Sequence, residues 1–238
     1  MQVVVWRRHE FRESSRLVTL LSRERGRFLV LAKGAFRPGS AHLGRLDFLN
    51  RCEVELAGRG IPLLGRTRLC HEPRALREPI RFLVAAHLCE LFDAAFQPDK
   101  PDAELFDLLL GTIALVEHTP PAHLPIVVLG VELRLLAVLG LLGRLDRCST
   151  CGGASARYWL AGEPGLTCAR DRAIAARGLS AAAIGWLDDL AASPAARWAD
   201  RSPARGLGEA LRSTRAWVEH ALELRARHRS AALRACAG

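Results

Sequence analysis

The first third of the chain alternates short apolar runs with polar breaks. Five runs rich in Val, Leu and Phe end at charged or Gly/Pro-containing breaks, at 2–6, 17–22, 27–32, 49–56 and 63–69. Breaks of this kind mark turns, so the pattern predicts five β-strands. Five short strands in about 70 residues are typical of a small closed barrel. The OB-fold is a five-stranded barrel of this kind and binds oligonucleotides.

After Pro73 and Pro79 the apolar positions change to the 3.6-residue period of a helix. Pro79 suits the first turn of the helix predicted at 80–96, and Pro98 follows its end. Ser180 is a suitable N-cap for a later helix. Further helices are predicted at 102–118, 126–142, 180–192 and 206–227.

The most apolar stretch, Leu124 to Leu142, is long enough to span a bilayer. Glu132 and Arg134 lie at its centre, where each would cost roughly 2.5–3.5 kcal/mol. A buried helix of a soluble protein is therefore the better interpretation. The N-terminus has no apolar run typical of a signal peptide. We expect a cytoplasmic protein without a membrane partner.

Charge is unevenly distributed along the chain. The whole chain has 34 Lys/Arg and 25 Asp/Glu, a formal net charge of +9. Residues 1–75 carry 15 basic and 7 acidic side chains, residues 76–147 carry 6 and 10, and residues 148–238 carry 13 and 8. Two basic ends thus flank an acidic middle, and the overall excess of positive charge favours a polyanionic partner.

Three of the seven cysteines follow a metal-site pattern. Cys148 and Cys151 form a C-x-x-C-G-G knuckle, and Cys168 follows after 16 residues. This spacing is typical of a zinc ribbon, in which two tight turns supply tetrahedral ligands. The second turn has Asp171 where a cysteine is usual, so Asp171 or a water is the expected fourth ligand of one structural Zn²⁺. The alternative is a similar hairpin that holds no metal.

Known catalytic motifs are missing from the sequence. It contains no G-x-x-x-x-G-K-[ST] phosphate loop, no G-x-G-x-x-G turn, no G-x-S-x-G elbow and no H-E-x-x-H zinc motif. The eight histidines are scattered, and none pairs with a cysteine or serine in a catalytic pattern. The sequence therefore predicts no enzymatic activity and no catalytic residue.

The stretch RRHEFRESSRLVTLLSRERGRFLVLAKGAFRPGS, which begins at Arg7, is similar to the N-terminus of the RecO family. It has the family's order of Glu13-Ser14 before the second strand, Gly26 at a turn, and then Ala32-Lys33-Gly34. The similarity continues through the RFLVAAHLCELFDAAF helix, the helix before the cysteines and the C-x-x-C-G knuckle. It covers roughly the first 175 residues.

The resemblance implies an α+β fold. Family members have an N-terminal OB-fold, a helical domain and, in many cases, a zinc-binding hairpin with four cysteines. We therefore expect a five-stranded OB-fold β-barrel followed by a helical domain with an inserted zinc-ribbon-like hairpin. The expected boundaries are 1–78 for the OB-fold nucleic-acid-binding domain, 79–147 for the helical domain, 148–175 for the hairpin, and 176–238 for C-terminal helices that complete the helical domain.

The resemblance also implies a role in DNA repair, as a recombination mediator at the nucleoid. Proteins of the family bind single- and double-stranded DNA and anneal complementary strands coated with single-strand-binding protein. With RecR they help to load the RecA recombinase onto gapped DNA. Two surfaces are open for the single-strand-binding protein: the acidic, apolar middle helices, or the basic C-terminal third, where Arg212 and Arg215 lie near Trp217.

Positive charge on the barrel would neutralise DNA backbones while leaving the bases free to pair. Phosphate contacts are predicted first for cations that flank the third strand and its loop: Arg27, Lys33 and Arg37. The next candidates are Arg7, Arg8, Arg12 and Arg16. Phe36 is a candidate for stacking on bases, whereas Trp6 is expected in the core. The alternative for each single cation is ordinary solvated surface.

Two other functions are kept as alternatives. One is a zinc-ribbon nucleic-acid-binding protein of transcription or translation, and the other is an enzyme that acts on nucleic acid. Annealing of complementary oligonucleotides without a nucleotide cofactor separates the mediator from both.

Overall fold

The computed structural model describes residues 1–40, 42–58 and 60–237 and divides into two compact units. The barrel unit comprises Met1–Arg74 and Phe96–Ile113. The helical unit comprises Ala75–Ala95 and Ala114–Gly238.

Five strands form the barrel. They are β1 Gln2–Phe11, β2 Ser15–Ser22, β3 Gly26–Ala32, β4 Arg51–Ala57 and β5 Leu63–His71. The strands close in the order β1-β2-β3-β5-β4, with β1 antiparallel to β4 and β3 parallel to β5. A five-stranded barrel followed by helices confirms the predicted fold class.

Alternation along the strands fills the barrel, because successive side chains of a strand point to opposite faces. The interior contains residues spaced two apart, among them Val3, Val5, Val18, Leu20, Phe28, Val30 and Ala32. The first strand extends to Phe11, beyond the predicted end at Trp6, because its polar second half pairs with β2 as an exposed ribbon. Because the residues on both faces of that half are polar, the pattern of apolar residues did not indicate a strand there.

The turn between β2 and β3 requires a glycine. Gly26 has a φ of +66°, and a Cβ placed there would lie 1.9 Å from the Lys100 carbonyl oxygen. The Asp99 N–H donates to the Arg27 carbonyl oxygen at 2.8 Å, and Arg25 pairs with Asp99 at 3.2 Å. Residues near 98–100 therefore pack closely against this end of β3, inside the barrel unit.

The described residues also form six α-helices and a two-stranded sheet. The helices are α1 Pro79–Ala95, α2 Ala103–His118, α3 Leu124–Val138, α4 Ala181–Ala192, α5 Leu207–Ala221 and α6 Arg229–Ala237. The sheet pairs β6 Tyr158–Trp159 with β7 Arg177–Gly178. The predicted cap of α4 is confirmed, because the Ser180 hydroxyl accepts the Ala183 N–H at 3.2 Å.

Helix α3 is the central core helix of the helical unit. The segment Pro121–Val138 has a mean hydropathy of 1.6 and is long enough to cross a membrane, but 61% of it is buried. Glu132 in its middle is 0% exposed. This burial is what a core helix of a globular unit shows.

Two predicted helix ends are wrong for related reasons. Helix α3 ends at Val138, not at 142, because Gly140 adopts a φ of +70° and the Leu141 N–H turns back to the Leu136 carbonyl. This is the Schellman arrangement, and glycine favours it. The predicted helix 206–227 likewise ends at Ala221, and α6 follows as a separate helix.

The end of α5 uses the same arrangement without a glycine. Glu223 takes the left-handed position with a φ of +50°, and the Leu224 N–H donates to the Glu219 carbonyl oxygen at 3.0 Å. Since a glutamate rarely ends a helix in this way, the sequence carried no stop signal there.

Candidate nucleic-acid interface and metal site

Four of the predicted DNA-binding cations lie at one end of the barrel. There the β1–β2 turn meets the loop that follows β3, because the Phe36 N–H donates to the Ser14 carbonyl oxygen at 3.3 Å. We call these four residues the basic end of the barrel: Arg12, Arg16, Lys33 and Arg37.

Arginine–aromatic contacts shape the basic end. The Arg16 guanidinium lies 4.2 Å from the centroid of the Phe36 ring, and that of Arg12 lies 5.3 Å from the Phe11 centroid. One face of Phe36 is thus occupied by Arg16, so a base would stack on the other face or on the guanidinium itself. Trp6 is a core residue, with 3% of its surface exposed.

The charges of the basic end are available to a ligand. Arg12, Lys33 and Arg37 are exposed. Within the described ranges, no ion pair joins any of the four to a carboxylate. Glu10, opposite Arg16 in the strand pairing, is a nearby acid that reduces the local positive charge.

The other three predicted cations lie elsewhere on the barrel. Arg7 and Arg8 are exposed on β1, and Arg8 forms an ion pair with Asp47. Arg27 pairs with Leu21 next to the first residue of β3, at the far end of the strand from Lys33. At about 3.3 Å per residue, that separation is roughly 20 Å. Arg27 and Lys33 therefore do not share one surface patch.

The four predicted metal ligands come together in the helical unit. One ligand atom from each of Cys148, Cys151, Cys168 and Asp171 lies within 4.8 Å of all the others. The Cys151 and Cys168 sulfur atoms are 3.9 Å apart, and Asp171 Oδ2 is 3.4 Å from Cys148 Sγ and 3.2 Å from Cys168 Sγ. Ligands of a tetrahedral zinc ion with bonds of about 2.3 Å are separated by about 3.8 Å. The Cys₃Asp cluster could therefore hold a metal ion.

Hydrogen bonds within the cluster set the protonation of its members. Backbone N–H groups, first that of Cys151 and then that of Cys168, lower the pKa of the Cys148 thiol. A hydrogen bond to Asp171 raises the pKa of Cys151 to about 11. Hydrogen bonds from Arg170 and then from the thiols lower the pKa of Asp171. A metal ion that binds this cluster would displace thiol protons, so its affinity would depend on pH.

A buried ionic network in the helical unit was missed at the sequence level. Arg229 donates through Nε to Oε1 of Glu132 and through Nη2 to Oε2, each at 2.6 Å. The Thr214 hydroxyl donates to Oε2 at 2.7 Å, and His87 Nε2 lies 2.9 Å from Oε1. Every member is almost fully buried.

The charge of Arg229 outweighs burial in this network. Burial alone would raise the pKa of Glu132, but the Arg229 charge and the hydrogen bonds lower it to about 2. A glutamate inside an apolar helix was the available signal. Its partners could not be identified because they lie 45, 82 and 97 residues away.

Two family models together match nearly all of the chain. The model described as Recombination protein O N terminal matches residues 1–71, and the one described as Recombination protein O C terminal matches residues 76–230. The chain belongs to the RecO family. The five barrel strands and the Cys₃Asp cluster thus lie within the regions that match the RecO models.

Curated relatives carry the same family name. The chain is similar to "DNA repair protein RecO" of Bacillus pumilus, with 30% identity over 65% of this chain and 60% of the relative. The RecO protein of Exiguobacterium sibiricum is 32% identical over 67% of this chain and 65% of its own length. That of Anaeromyxobacter dehalogenans is 34% identical over 69% and 67%. The match to the first two relatives spans less than two thirds of their length.

Proposed function

We propose that the protein binds DNA through its backbone phosphates and acts as a recombination mediator in DNA repair. The observation that carries this proposal is the basic end of the barrel, with four cations that have no carboxylate partner in the described residues. Phosphate contacts give sequence-independent binding that weakens as salt rises. Membership of the RecO family and the repair role named for its relatives support the proposal.

The mediator would anneal complementary strands without chemistry of its own. Neutralising two backbones removes the repulsion between them, while the bases stay free to pair. By family resemblance we further propose that it binds single- and double-stranded DNA and anneals complementary strands. With RecR it would help to load RecA onto gapped DNA coated with single-strand-binding protein. The corresponding location is the cytoplasm, at the nucleoid.

We also propose that the Cys₃Asp cluster binds one zinc ion. Three thiolates and a carboxylate are donors that Zn²⁺ accepts, and the distances fit a closed tetrahedral site. Such a site is structural, since all four positions are filled by the protein. Cys148, Cys151, Cys168 and Asp171 would fix the turn at each end of the hairpin, and the metal would stabilise that fold.

A pair of matched variants tests the DNA-binding proposal. Lys33→Ala/Arg37→Ala removes two charges at the basic end, and Arg23→Ala/Arg25→Ala removes two at the opposite end of β3. Arg23 pairs with Asp107 at 2.9 Å and Arg25 pairs with Asp99 at 3.2 Å, on the exposed surface. Both variants should fold normally, because Lys33 and Arg37 are exposed without ion pairs among the described residues, and exposed ion pairs such as those of Arg23 and Arg25 contribute little stability.

The readouts are the salt dependence of binding and the annealing rate. Each lost contact to a single strand should reduce the slope of log K against log salt by about 0.7. The Lys33→Ala/Arg37→Ala variant should therefore flatten the slope by about 1.4 and slow annealing of bare and protein-coated strands. The control should change neither. If the control variant were weakened and Lys33→Ala/Arg37→Ala were not, the phosphate contacts would lie near Arg27 instead. Normal annealing by both variants would show that neither end of β3 contributes to DNA binding.

A further inference from the structure

A pocket of about 510 Å³ lies within the helical unit, between the β6–β7 hairpin and α5. Its walls include Trp159, Leu160 and Gly178 on the hairpin side and Arg212 and Ser213 on the helix side. This volume is in the range of small-ligand sites. The pocket is separate from the Cys₃Asp cluster and from the basic end of the barrel.

The aromatic wall of the pocket is held in place. The Trp159 ring meets the buried Trp217 ring edge to face, with centroids 5.9 Å apart and an interplanar angle of 74°. The Trp217 indole N–H donates to the Leu160 carbonyl oxygen at 3.2 Å. Trp159 itself is only half-buried. A rigid indole beside an open pocket is a stacking platform for a planar ligand.

The charge of the pocket favours an anion. Arg177 and Arg212 are exposed, and neither guanidinium has an ion pair or hydrogen bond in the part of the chain that the structure describes. The acid in the wall, Glu209, is already engaged by Ser180, whose N–H donates to Oε1 at 3.1 Å and whose hydroxyl donates to Oε2. Glu209 keeps its negative charge and attracts Arg212 electrostatically, so the two arginines leave the pocket with an excess of one positive charge.

We propose that this pocket binds one nucleotide of single-stranded DNA, with the base against Trp159 and the flanking phosphates beside Arg177 and Arg212. This inference rests on the proposed DNA-binding function and adds a second contact site, on the helical unit. A nucleotide offers both a planar ring for the indole and phosphates for the two guanidinium groups.

An extended peptide fits the pocket less well. Strand addition gains its affinity from a row of main-chain hydrogen bonds, but β7 is only two residues long. The edge therefore offers few such bonds. The pocket also has room for a small ligand, whereas a peptide would have to cover the surface around it.

A second site bears on annealing. A strand that is held at one base and its neighbouring phosphates keeps the rest of its bases unstacked and open to pairing. The basic end of the barrel would be a second site, available for the backbone of another strand. The pocket would therefore contribute more to binding of unpaired strands than of duplexes, whose bases are not free to enter.

The test compares two double variants that remove equal charge from the helical unit. Arg177→Ala/Arg212→Ala changes the pocket, and Arg225→Ala/Arg227→Ala removes two exposed arginines outside it. Binding of a short oligothymidylate is measured against salt. The pocket variant should flatten the slope of log K by up to about 1.4, with the control close to wild type.

Trp159→Ala supplies an independent test of stacking. It should weaken oligothymidylate binding by roughly 5-fold or more, while an oligonucleotide of abasic residues binds wild type and variant alike. Trp159→Phe should recover most of the loss. If Trp159→Ala unfolds, which circular dichroism would reveal, the arginine variants still decide.

Each other outcome counts against the pocket or against the proposed function. A pocket variant no weaker than its control overturns the nucleotide site while leaving DNA binding by the barrel intact. Normal DNA binding with lost binding of an acidic peptide that ends in apolar residues would assign the pocket to a protein partner instead. A wild-type protein that binds no DNA would refute the proposed function itself.

Discussion

Replacing Arg229 with methionine would leave the Glu132 carboxylate buried without its counter-ion. Two guanidinium hydrogen bonds to Glu132, each at 2.6 Å, would be lost, together with one to the Leu211 carbonyl at 2.7 Å. His87 and Thr214 would remain as partners. Breaking one side of a buried ion pair typically costs about 3–5 kcal/mol. That is a large part of the roughly 5–15 kcal/mol by which whole domains are stable.

The contribution of Glu132 to the pH dependence of stability should have opposite signs in the wild type and in Arg229→Met. In the wild type, the pKa of Glu132 is lowered from 4.5 to about 2, since the Arg229 charge and the hydrogen bonds outweigh burial. Its contribution to the free energy of unfolding is therefore full above pH 4.5 and is lost as pH falls towards 2. In Arg229→Met, burial acts without the opposing charge and raises the pKa above 4.5. This carboxylate should then destabilise the variant at neutral pH, and the effect should diminish as pH falls.

Urea unfolding followed by circular dichroism at 222 nm measures both effects. Arg227→Met is the matched control, because Arg227 is exposed two residues away and should change stability by less than about 0.5 kcal/mol. The double variant Glu132→Leu/Arg229→Met removes both charges, so it should be more stable than Arg229→Met alone. A loss below about 1 kcal/mol in Arg229→Met, with wild-type pH dependence, would refute the reasoning.

Three further predictions concern other parts of the chain. Purified protein should contain about one zinc per chain by elemental analysis. Cys148→Ser should lower the zinc content and the melting temperature, whereas Asp171→Cys should slow the loss of zinc to a chelator. A metal-free protein of full stability would contradict the proposed zinc site. A fragment of residues 1–78 should give a β-rich circular dichroism spectrum and keep part of the DNA affinity; a mainly helical spectrum would contradict the domain boundary. Gly130→Ala should lower the urea midpoint, because its Cβ would lie 2.6 Å from the buried Trp198 ring, and a strain of about 1–3 kcal/mol exceeds the gain in helix propensity of about 1 kcal/mol; an unchanged midpoint would mean that the ring moves freely.

Local signals were sufficient for the barrel and for much of the helical unit. Each predicted strand run overlaps an observed strand, because period-two burial is recorded directly in the order of apolar residues. Ser180 caps α4 as its residue type and position indicated. The Cys₃Asp cluster also follows from local spacing, since two tight turns need only one pairing to bring four ligands together. The boundary at residue 78 stays a prediction.

Features that depend on distant residues could not be predicted in this way. The sequence grouped Arg27 with Lys33 because both flank the third strand, but the pairing of β2 with β3 places Lys33 beside Arg16 and Arg27 at the other end of the strand. The pocket at Trp159 requires a hairpin that ends at Gly178 and a helix that begins only at Leu207. Glu223 ends α5 although glutamate gives no local reason for it.

The partner of Glu132 is supplied late in synthesis. Arg229 follows it by 97 residues, and a ribosome adding about 5–20 residues per second needs on the order of 5–20 s to reach it. During that interval the emerging chain contains the apolar α3 segment and an acid that cannot be buried as an ion. The ion pair in the core around α3 therefore cannot form until the α6 segment has left the ribosome. The barrel strands have been translated long before that moment, so the barrel strands become available for folding earlier than the ion pair in the core around α3.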